Sequence, residues 1–281
     1  MDCSSAYGLF DELIRVASKT LVEFTVSSQL KIQEKADKSL VTACDRIIDE
    51  KLTSIVSSYG FSVISEEGKH VQKIVESGNY VTIDPIDGSL GYIDYANDFY
   101  LKNTSVVPFL KDLGPSSDFS LLLGIVENAV PKYGACYNYV TKEKIFLDGD
   151  NRANFSRTNA RTIYDQENVA YVDQRKGDWI EDRIKETKNT TAITQATVGL
   201  KSLYTIINPH KSAIMCHRVQ SSGLWEILPA AVASRIFGGE IYDDCGDTLK
   251  LNRYIELPGR GCTVIKGEAF AFVRDLIRNK Q

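Results

Sequence analysis

Histidine is scarce in this 281-residue chain, and paired cysteines are missing. The three histidines (His70, His210 and His217) have no zinc-ligand spacing with one another or with a cysteine pair. None of the six cysteines belongs to a C-x-x-C pair, and a secreted disulfide framework does not suit a chain of this length. If the protein binds a metal, carboxylates must therefore hold it.

Long apolar runs and an excess of positive charge are also missing. No stretch of about 18 apolar residues exists, which excludes a membrane-spanning helix. Acids stand near the start of the chain at Asp2, Asp11 and Glu12, so we expect no signal peptide. The formal net charge is −4, which argues against a nucleic-acid polymer as partner. We expect a cytoplasmic protein with buried free thiols and no membrane or nucleic-acid partner.

Helical and extended patterns alternate along the sequence. Apolar residues at three- and four-residue spacing predict a helix over 5–27, and Thr42 is the candidate N-cap of a second helix that Gly60 ends. Strands that alternate with helices along the chain predict a layered α/β or α+β fold. The expected strands are 61–64, 80–84, 119–126, 133–139, 168–173, 212–218, 240–244 and 261–267. The further expected helices are 178–187, 199–208, 225–237 and 267–279.

Two segments interrupt this pattern. Residues 96–118 contain two prolines and read as an irregular loop or insertion. Residues 147–159 are polar and contain glycine, so they are the best candidate for the boundary between two halves of the chain, about 1–150 and 155–281.

Acidic residues gather where predicted strands end and helices begin. Asp84 and Asp87 close one strand in "IDPIDGS" (83–89), and Glu66 follows another. Like charges a few ångströms apart are costly unless a cation neutralises them, and oxygen ligands suit Mg²⁺ or Mn²⁺. Gly88 and Ser89 then offer backbone N–H groups for a phosphate. A D-P-x-D-G turn alone is common, so the prediction depends on the whole set.

Five segments in a fixed order carry a wider pattern. With them the chain resembles the inositol monophosphatase superfamily, which consists of Mg²⁺-dependent, lithium-sensitive phosphomonoesterases. The resemblance implies one phosphatase domain over 1–281 with a five-layer αβαβα sandwich. The segments are "EKADKSLVTACD" (34–45), "VISEEG" (63–68), "IDPIDGS" (83–89), "YGACYNYVTKE" (133–143) and "LWEILPAAVASRIFGGEIYDDCG" (224–246).

The resemblance also implies roles for single residues. Asp45 and Ser89, the latter in place of a family threonine, would position the attacking water together with Glu66, and Gly88 and Ser89 would hold the phosphate. Two or three Mg²⁺ ions are implied, with Mn²⁺ as the alternative. The implied metal ligands are Glu66, Asp84, the Ile86 carbonyl, Asp87 and Glu226.

Two departures from the family pattern bear on the substrate. Glu226 stands where the inositol and nucleotide branches carry aspartate, although fructose-1,6-bisphosphatases resemble this chain there, and "SLGYI" (89–93) replaces the usual nucleotide-branch sequence. The segment 34–45 is most similar to bacterial 3′(2′),5′-bisphosphate nucleotidases. In that branch Lys201 would contact a second substrate phosphate; the alternative is a plain surface lysine.

The resulting expectation is a phosphomonoesterase that acts on a small phosphorylated metabolite, first of all on the 3′-phosphate of adenosine 3′,5′-bisphosphate. Inositol monophosphatase and fructose-1,6-bisphosphatase activity are the alternatives within the superfamily. A non-catalytic descendant that binds a phosphorylated ligand is the alternative of another class. We expect a monomer or a homodimer.

Overall fold

The computed structural model describes most of the chain, and all statements below concern that part. The described residues are 1–27, 32–34, 40–68, 72–101, 118–150, 152–156, 168–172, 184, 187, 189–194, 197–207, 211–217, 223–243, 245–249 and 262–278.

The first sheet has six strands in the order β3-β4-β5-β6-β7-β8. β3 and β4 are parallel, and the other neighbours are antiparallel. The strands are β3 (Val63–Ser65), β4 (Tyr80–Asp87), β5 (Ser120–Glu127), β6 (Val130–Asn138), β7 (Lys144–Asp148) and β8 (Arg152–Ser156). Two short strands, β1 (Ile32–Glu34) and β2 (Leu40–Thr42), pair separately with each other.

Helices α1 (Cys3–Val26) and α2 (Ala43–Ser58) cover the outer face of this sheet. Both are amphipathic, and their apolar faces join the side chains on that face of β4–β6 in one buried cluster. Thr42 is the N-cap of α2, as predicted: its hydroxyl accepts from Cys44 and Asp45 N–H, and the Asp45 carboxylate accepts from Thr42 N–H. Two further helices are α3 (Gln72–Ser77) and α4 (Ser89–Leu101).

Helices α5 (Val198–Ile207) and α6 (Leu224–Phe237) form the central layer. α6 packs on β4–β7 of the first sheet, and α5 packs on α6 and on the second sheet. Every residue of α5 is buried, as expected for a helix with layers on both sides.

The second sheet has five strands in the order β10-β9-β11-β13-β12, and α7 (Ala271–Arg278) covers its outer face. The layers therefore run helices, sheet, helices, sheet, helix, and the predicted five-layer sandwich is confirmed. The strands are β9 (Asn168–Val172), β10 (Thr190–Thr194), β11 (Ser212–His217), β12 (Glu240–Asp243) and β13 (Cys262–Lys266). No helix among the described residues is long and apolar enough to span a bilayer.

Two predictions about irregular segments need correction. Residues 96–101 are not a loop, because α4 continues to Leu101; residues 102–117 lie outside the described part. The polar segment 147–159 is not simply a linker, because β7 and β8 occupy part of it and form a hairpin at the sheet edge. The predicted helix 178–187 lies almost wholly outside the described residues, and α3 and β10 were missed.

The cysteines follow the expectation of buried thiols with two exceptions. None of the six forms a disulfide, and Cys44, Cys136, Cys216 and Cys262 are buried. Cys245 is exposed and Cys3 is only partly buried.

Candidate metal centre and active site

A bulge at the end of β4 brings two aspartates to one place. Asp84 pairs with Leu122 of β5, whereas Asp87 pairs with Ser120, so three steps on β4 match two on β5. Side chains alternate between the faces of a regular strand, and one extra residue reverses that alternation. The bulge also accommodates Pro85, since proline within a sheet is found at bulges and edges.

Three carboxylates converge at this bulge. Asp84, Asp87 and Glu226 each offer one carboxylate oxygen, and these oxygens lie within 4.8 Å of one another. The Asp84 side chain is nearly inaccessible, and its buried Oδ1 has no hydrogen-bond partner within the described part of the chain. A buried carboxylate oxygen without a partner is costly, which indicates that a ligand completes this site.

The electrostatics of the three acids agree with that geometry. Burial raises the pKa of Asp84 well above its usual value, and the charges of Glu66, Asp87 and Glu226 raise it further. Burial likewise raises the pKa of Glu226, followed by the charges of Asp87 and Glu66. A group of carboxyls that retains protons in this way becomes fully ionised only when a cation compensates for the charge.

Asp87 is held by the N-terminus of α5. Its Oδ2 accepts a 2.9 Å hydrogen bond from Leu200 N–H and a 3.5 Å one from the Ser120 hydroxyl. Gly199 permits the close approach, because a Cβ there would lie 2.0 Å from Leu122 Cδ1 and 3.1 Å from Asp87 Oδ2. Burial raises the pKa of Asp87, and the N–H groups of Leu200 and Gly199 oppose that rise.

Asp45 and Ser89 form the predicted pair. Ser89 Oγ lies 3.2 Å from Asp45 Oδ1 and donates to it, while Asp45 Oδ2 accepts from Thr42 at the start of α2. Burial raises the pKa of Asp45 to about 7; hydrogen bonds from Thr42 oppose this rise and the charge of Glu66 adds to it. The hydrogen bond is therefore present, and the role of the pair in positioning water remains a prediction.

Gly88 and Ser89 lie at the start of helix α4. Gly88 has φ +93°, a backbone conformation that favours glycine, and a Cβ there would lie 2.4 Å from Thr197 Cγ2. α4 begins at Ser89, so its first N–H groups have no intrahelical acceptor. Such groups suit a phosphate, and this use of Gly88 and Ser89 remains a prediction.

Glu66 and Ile86 occupy the surroundings of the cluster. Glu66 follows β3, where its N–H donates to Ile83 O at 3.2 Å, and it is not a member of the 4.8 Å group. After burial, its charge is among the causes that raise the pKa of both Asp45 and Asp84, so it lies near both. The Ile86 carbonyl oxygen lies 3.3 Å from the Ser89 hydroxyl, which has one proton to share between this carbonyl and Asp45. Their roles as metal ligands remain predictions.

Glu226 also has a local structural contact. It lies in the first turn of α6, and its Oε2 accepts a 2.8 Å hydrogen bond from Gly223 N–H. A glutamate at this position reaches back to the N-cap residue, as in a capping box. The same carboxylate thus joins the helix start to the acidic cluster.

Lys201 is not a surface lysine. Its relative exposure is 0 %, so the alternative of an ordinary solvated side chain is wrong. Its charge opposes the burial-driven rise in the pKa of Asp87 and of Glu226, which places it close to the cluster. Contact with a substrate phosphate remains a prediction, and it would require substrate to reach a fully enclosed helix.

Two supporting groups escaped the sequence analysis. The Leu200 N–H is a backbone group, so no side-chain pattern reports it. Ser120 looks like an ordinary strand residue, and only the register of β5 against β4 brings it to Asp87.

The sequence matches a model of a known protein family over most of its length. The model described as the inositol monophosphatase family matches residues 7–203. The chain belongs to the inositol monophosphatase family. A search of curated proteins found no match.

Solved structures of the inositol monophosphatase family share the fold over most of this chain. The Thermotoga maritima IMPase has a TM-score of 0.68 at 16% identity, with 99% of this chain and 98% of that chain covered. CysQ from Bacteroides thetaiotaomicron, described as a bacterial member of the family, has a TM-score of 0.63 at 18% identity, with 89% and 93% covered. An IMPase/NADP phosphatase complexed with NADP and Ca²⁺ has a TM-score of 0.71 at 12% identity, with 99% and 96% covered.

Family membership gives the site a chemical context. Members of the inositol monophosphatase family are Mg²⁺-dependent phosphatases that act on small phosphorylated substrates. The cluster of Asp84, Asp87 and Glu226 could bind such a metal.

Proposed function

We propose that this protein is a Mg²⁺-dependent phosphomonoesterase that hydrolyses a small phosphorylated metabolite, first of all the 3′-phosphate of adenosine 3′,5′-bisphosphate. One observation carries the proposal: the carboxylate oxygens of Asp84, Asp87 and Glu226 lie within 4.8 Å of one another at the end of β4. Such an arrangement is unfavourable without a cation, and the family to which the chain belongs uses one.

The residues fit Mg²⁺ better than a softer metal. The cluster offers only oxygen ligands, which Mg²⁺ and Mn²⁺ prefer. Among the described residues Asp84 Oδ1 has no hydrogen-bond partner, so this oxygen is available to a metal ion. Asp84, Asp87 and Glu226 would hold the ion, with Glu66 and the Ile86 carbonyl as the further ligands. Four carboxylates would balance two Mg²⁺ ions. When bound, Mg²⁺ supplies activation of water and neutralisation of phosphoryl charge.

The remaining residues would orient the reactants. In the metal-free protein burial raises the pKa of Asp45 to about 7, and a carboxylate of raised basicity suits a general base. Ser89 donates to Asp45, and together they would hold the attacking water in line with the phosphorus. The N–H groups at the start of α4 would bind the phosphoryl oxygens and stabilise the charge that develops on them.

The choice of a nucleotide substrate has two supports. The segment 34–45 is similar to bacterial bisphosphate nucleotidases, and a protein of the same fold has been solved with NADP, a nucleotide. Fructose-1,6-bisphosphate and inositol phosphates remain the competing substrates, since Glu226 resembles the former branch.

Phosphate release from a substrate panel tests the proposal. Adenosine 3′,5′-bisphosphate, inositol 1-phosphate and fructose 1,6-bisphosphate are each incubated with Mg²⁺, with EDTA, and with Mg²⁺ plus Li⁺. We expect Mg²⁺-dependent, Li⁺-inhibited release that is fastest from the nucleotide. Release from the other substrates but not from the nucleotide would refute the substrate choice. No release from any of them would favour the non-catalytic alternative.

A further inference from the structure

Pro85 lies inside the β4 bulge, where its carbonyl oxygen is outside the regular pairing of the sheet. The register of β4 with β5 shifts between Asp84 and Asp87, so the residues between them leave the ladder. Pro85 is buried, and a buried carbonyl without a hydrogen bond is costly. The hydroxyl of Tyr139 donates to this oxygen at 3.0 Å. A side chain from beyond the end of β6 therefore holds the bulge that carries the two aspartates.

Tyr139 is itself fixed by its neighbours. Its relative exposure is 1 %. The Tyr139 ring stacks on the Phe119 ring with centroids 5.4 Å apart, and the Tyr137 ring meets it edge-on at 5.4 Å. The Tyr139 N–H donates to Phe119 O at 3.1 Å. Because close packing restricts the ring, the hydroxyl sets the position of the Pro85 oxygen rather than following it.

Tyr139 reaches the bulge from the face of the sheet opposite to the acids. Tyr139 and Ile86 belong to the apolar cluster on the side of α1 and α2. Asp87 meets α5 on the other face, and Asp84 lies there beside the first turn of α6. The segment 133–143 supplies none of the candidate ligands or catalytic residues, yet through Tyr139 it contacts the backbone between two of them.

We propose that Tyr139 is a positioning residue of the metal centre: its hydroxyl holds the bulge at Pro85 in the register that turns Asp84 and Asp87 to one cation. The cation rests on the proposed function, whereas the hold on the bulge does not. Without the hydroxyl, the Pro85 carbonyl must rotate to find another donor, and that rotation displaces the carboxylates on either side. Groups that orient metal ligands without touching the metal typically change its affinity by roughly 10- to 100-fold.

Tyr139→Phe removes the hydroxyl and keeps the ring, so the packing on Phe119 persists. Tyr133→Phe is the matched control, because Tyr133 is a buried tyrosine near the start of β6 whose hydroxyl donates to Met1 O at 3.1 Å. Calorimetric titration of Mg²⁺ and of Mn²⁺ into EDTA-treated, dialysed protein measures metal affinity without a substrate. We expect Tyr139→Phe to bind both ions about tenfold more weakly than the wild type, and Tyr133→Phe to bind like the wild type.

Hydrogen exchange of the metal-free proteins tests the hold on the bulge by itself. Peptides that span 83–89 should exchange faster in Tyr139→Phe than in the wild type, because loss of the hydroxyl lets the bulge open locally. Peptides from α1 should exchange alike in both proteins. Tyr133→Phe should match the wild type over 83–89.

The two measurements separate this inference from the proposed function. Equal metal affinity in the wild type and Tyr139→Phe, or equal weakening by Tyr133→Phe, would overturn the inference, since the effect would then be absent or general. Failure of the wild type to bind divalent ions would refute the proposed metal site instead. In that case, faster exchange over 83–89 in Tyr139→Phe would still support the hold on the bulge, and unchanged exchange would overturn it.

Discussion

Asp87 is the acid whose environment is best defined, because α5 and β5 both donate hydrogen bonds to its Oδ2. Asp87→Asn keeps the shape of the side chain but removes the charge that would balance a cation. We expect Mg²⁺-dependent phosphate release and Mg²⁺ affinity to fall by roughly 10² or more.

Stability provides the control for Asp87→Asn. In EDTA the variant should be no less stable than wild type, because it relieves repulsion with Asp84 and Glu226. Asp275→Asn on α7, far from the site, should leave both properties unchanged. Full Mg²⁺-dependent activity in Asp87→Asn would show that Asp87 is not a ligand.

Glu226 is one methylene group longer than an aspartate, and its length serves two contacts. The carboxylate reaches both the cluster and Gly223 N–H. We expect Glu226→Asp to weaken metal binding by withdrawing the carboxylate about one bond length, and Glu226→Gln to lower activity further by removing the charge.

Steady-state rates against Mg²⁺ concentration distinguish the two accounts of Glu226. If the residue has no role as ligand, Glu226→Asp raises activity towards that of a typical family member and Glu226→Gln changes little.

The position of helix α5 controls the geometry of the acidic cluster. A Cβ on Gly199 would lie 2.9 Å from Glu226 O as well as 2.0 Å from Leu122 Cδ1, so α5 must move away from β5 and α6 to admit it. We expect Gly199→Ala to destabilise the protein by about 1–3 kcal/mol. Metal affinity should fall as well, since Leu200 N–H moves with the helix.

Urea unfolding and Mg²⁺ titration check the Gly199→Ala variant. Gly8→Ala in α1 is the control for glycine replacement in a helix, because nothing lies within 4 Å of a Cβ there. Wild-type stability and metal affinity in Gly199→Ala would mean that the placement of α5 does not control the cluster.

Elements with strong local signals were predictable from the sequence. The spacing of apolar residues in α1 and the capping residues Thr42 and Asp45 of α2 are local properties of the sequence. Both helices were therefore predicted. The β8 strand "RANFS" (152–156) does alternate polar and apolar residues, but its polarity favoured a linker. α4 was missed beyond its start because glycine and tyrosines (Gly91, Tyr92 and Tyr95) make up most of its described buried residues, beside only Ile93 and Ala96.

The site was predictable in its residues and not in its geometry. Motif order led to Asp84, Asp87 and Glu226, which the structure brings together. The bulge at Pro85 and the burial of Lys201 depend on pairing and packing of distant segments. A lysine in a helix usually lies on the surface, even when its neighbours in the sequence are apolar. Only the layers on both sides of α5 reveal that Lys201 is enclosed.

Across the whole molecule, the core passes from one sheet to the other through α5 and α6. One buried cluster joins Leu122 and Cys136 of the first sheet to Val169 and Val264 of the second. This continuity supports the prediction of a single domain. The free energy of unfolding should therefore report the ionisation of the acids at its centre.

The metal-free protein should lose stability as pH rises. Burial raises the pKa of Asp45 to about 7 and also raises the pKa values of Asp84, Asp87 and Glu226, so the folded chain binds more protons than the unfolded chain. The contribution of these groups to the free energy of unfolding is then fully present below about pH 4. It falls as the pH rises towards 7, by about 1.4 kcal/mol per pH unit for each group that is titrating.

Urea unfolding in EDTA from pH 5 to 7.5 measures this trend, and Asp87→Asn should show a shallower one. With Mg²⁺ the trend should weaken or reverse, because deprotonated carboxylates bind the ion. Equal and flat profiles for both proteins in EDTA would contradict the assigned electrostatics.

The central claim is that the acids at the end of β4 form a divalent-cation site. Anomalous diffraction from crystals grown with Mn²⁺ and phosphate tests it most directly. The account predicts at least one Mn²⁺ peak at about 2 Å from carboxylate oxygens of Asp84, Asp87 and Glu226, with phosphate near the start of α4. Ordered water in the cluster, with Mn²⁺ bound only elsewhere, would contradict it.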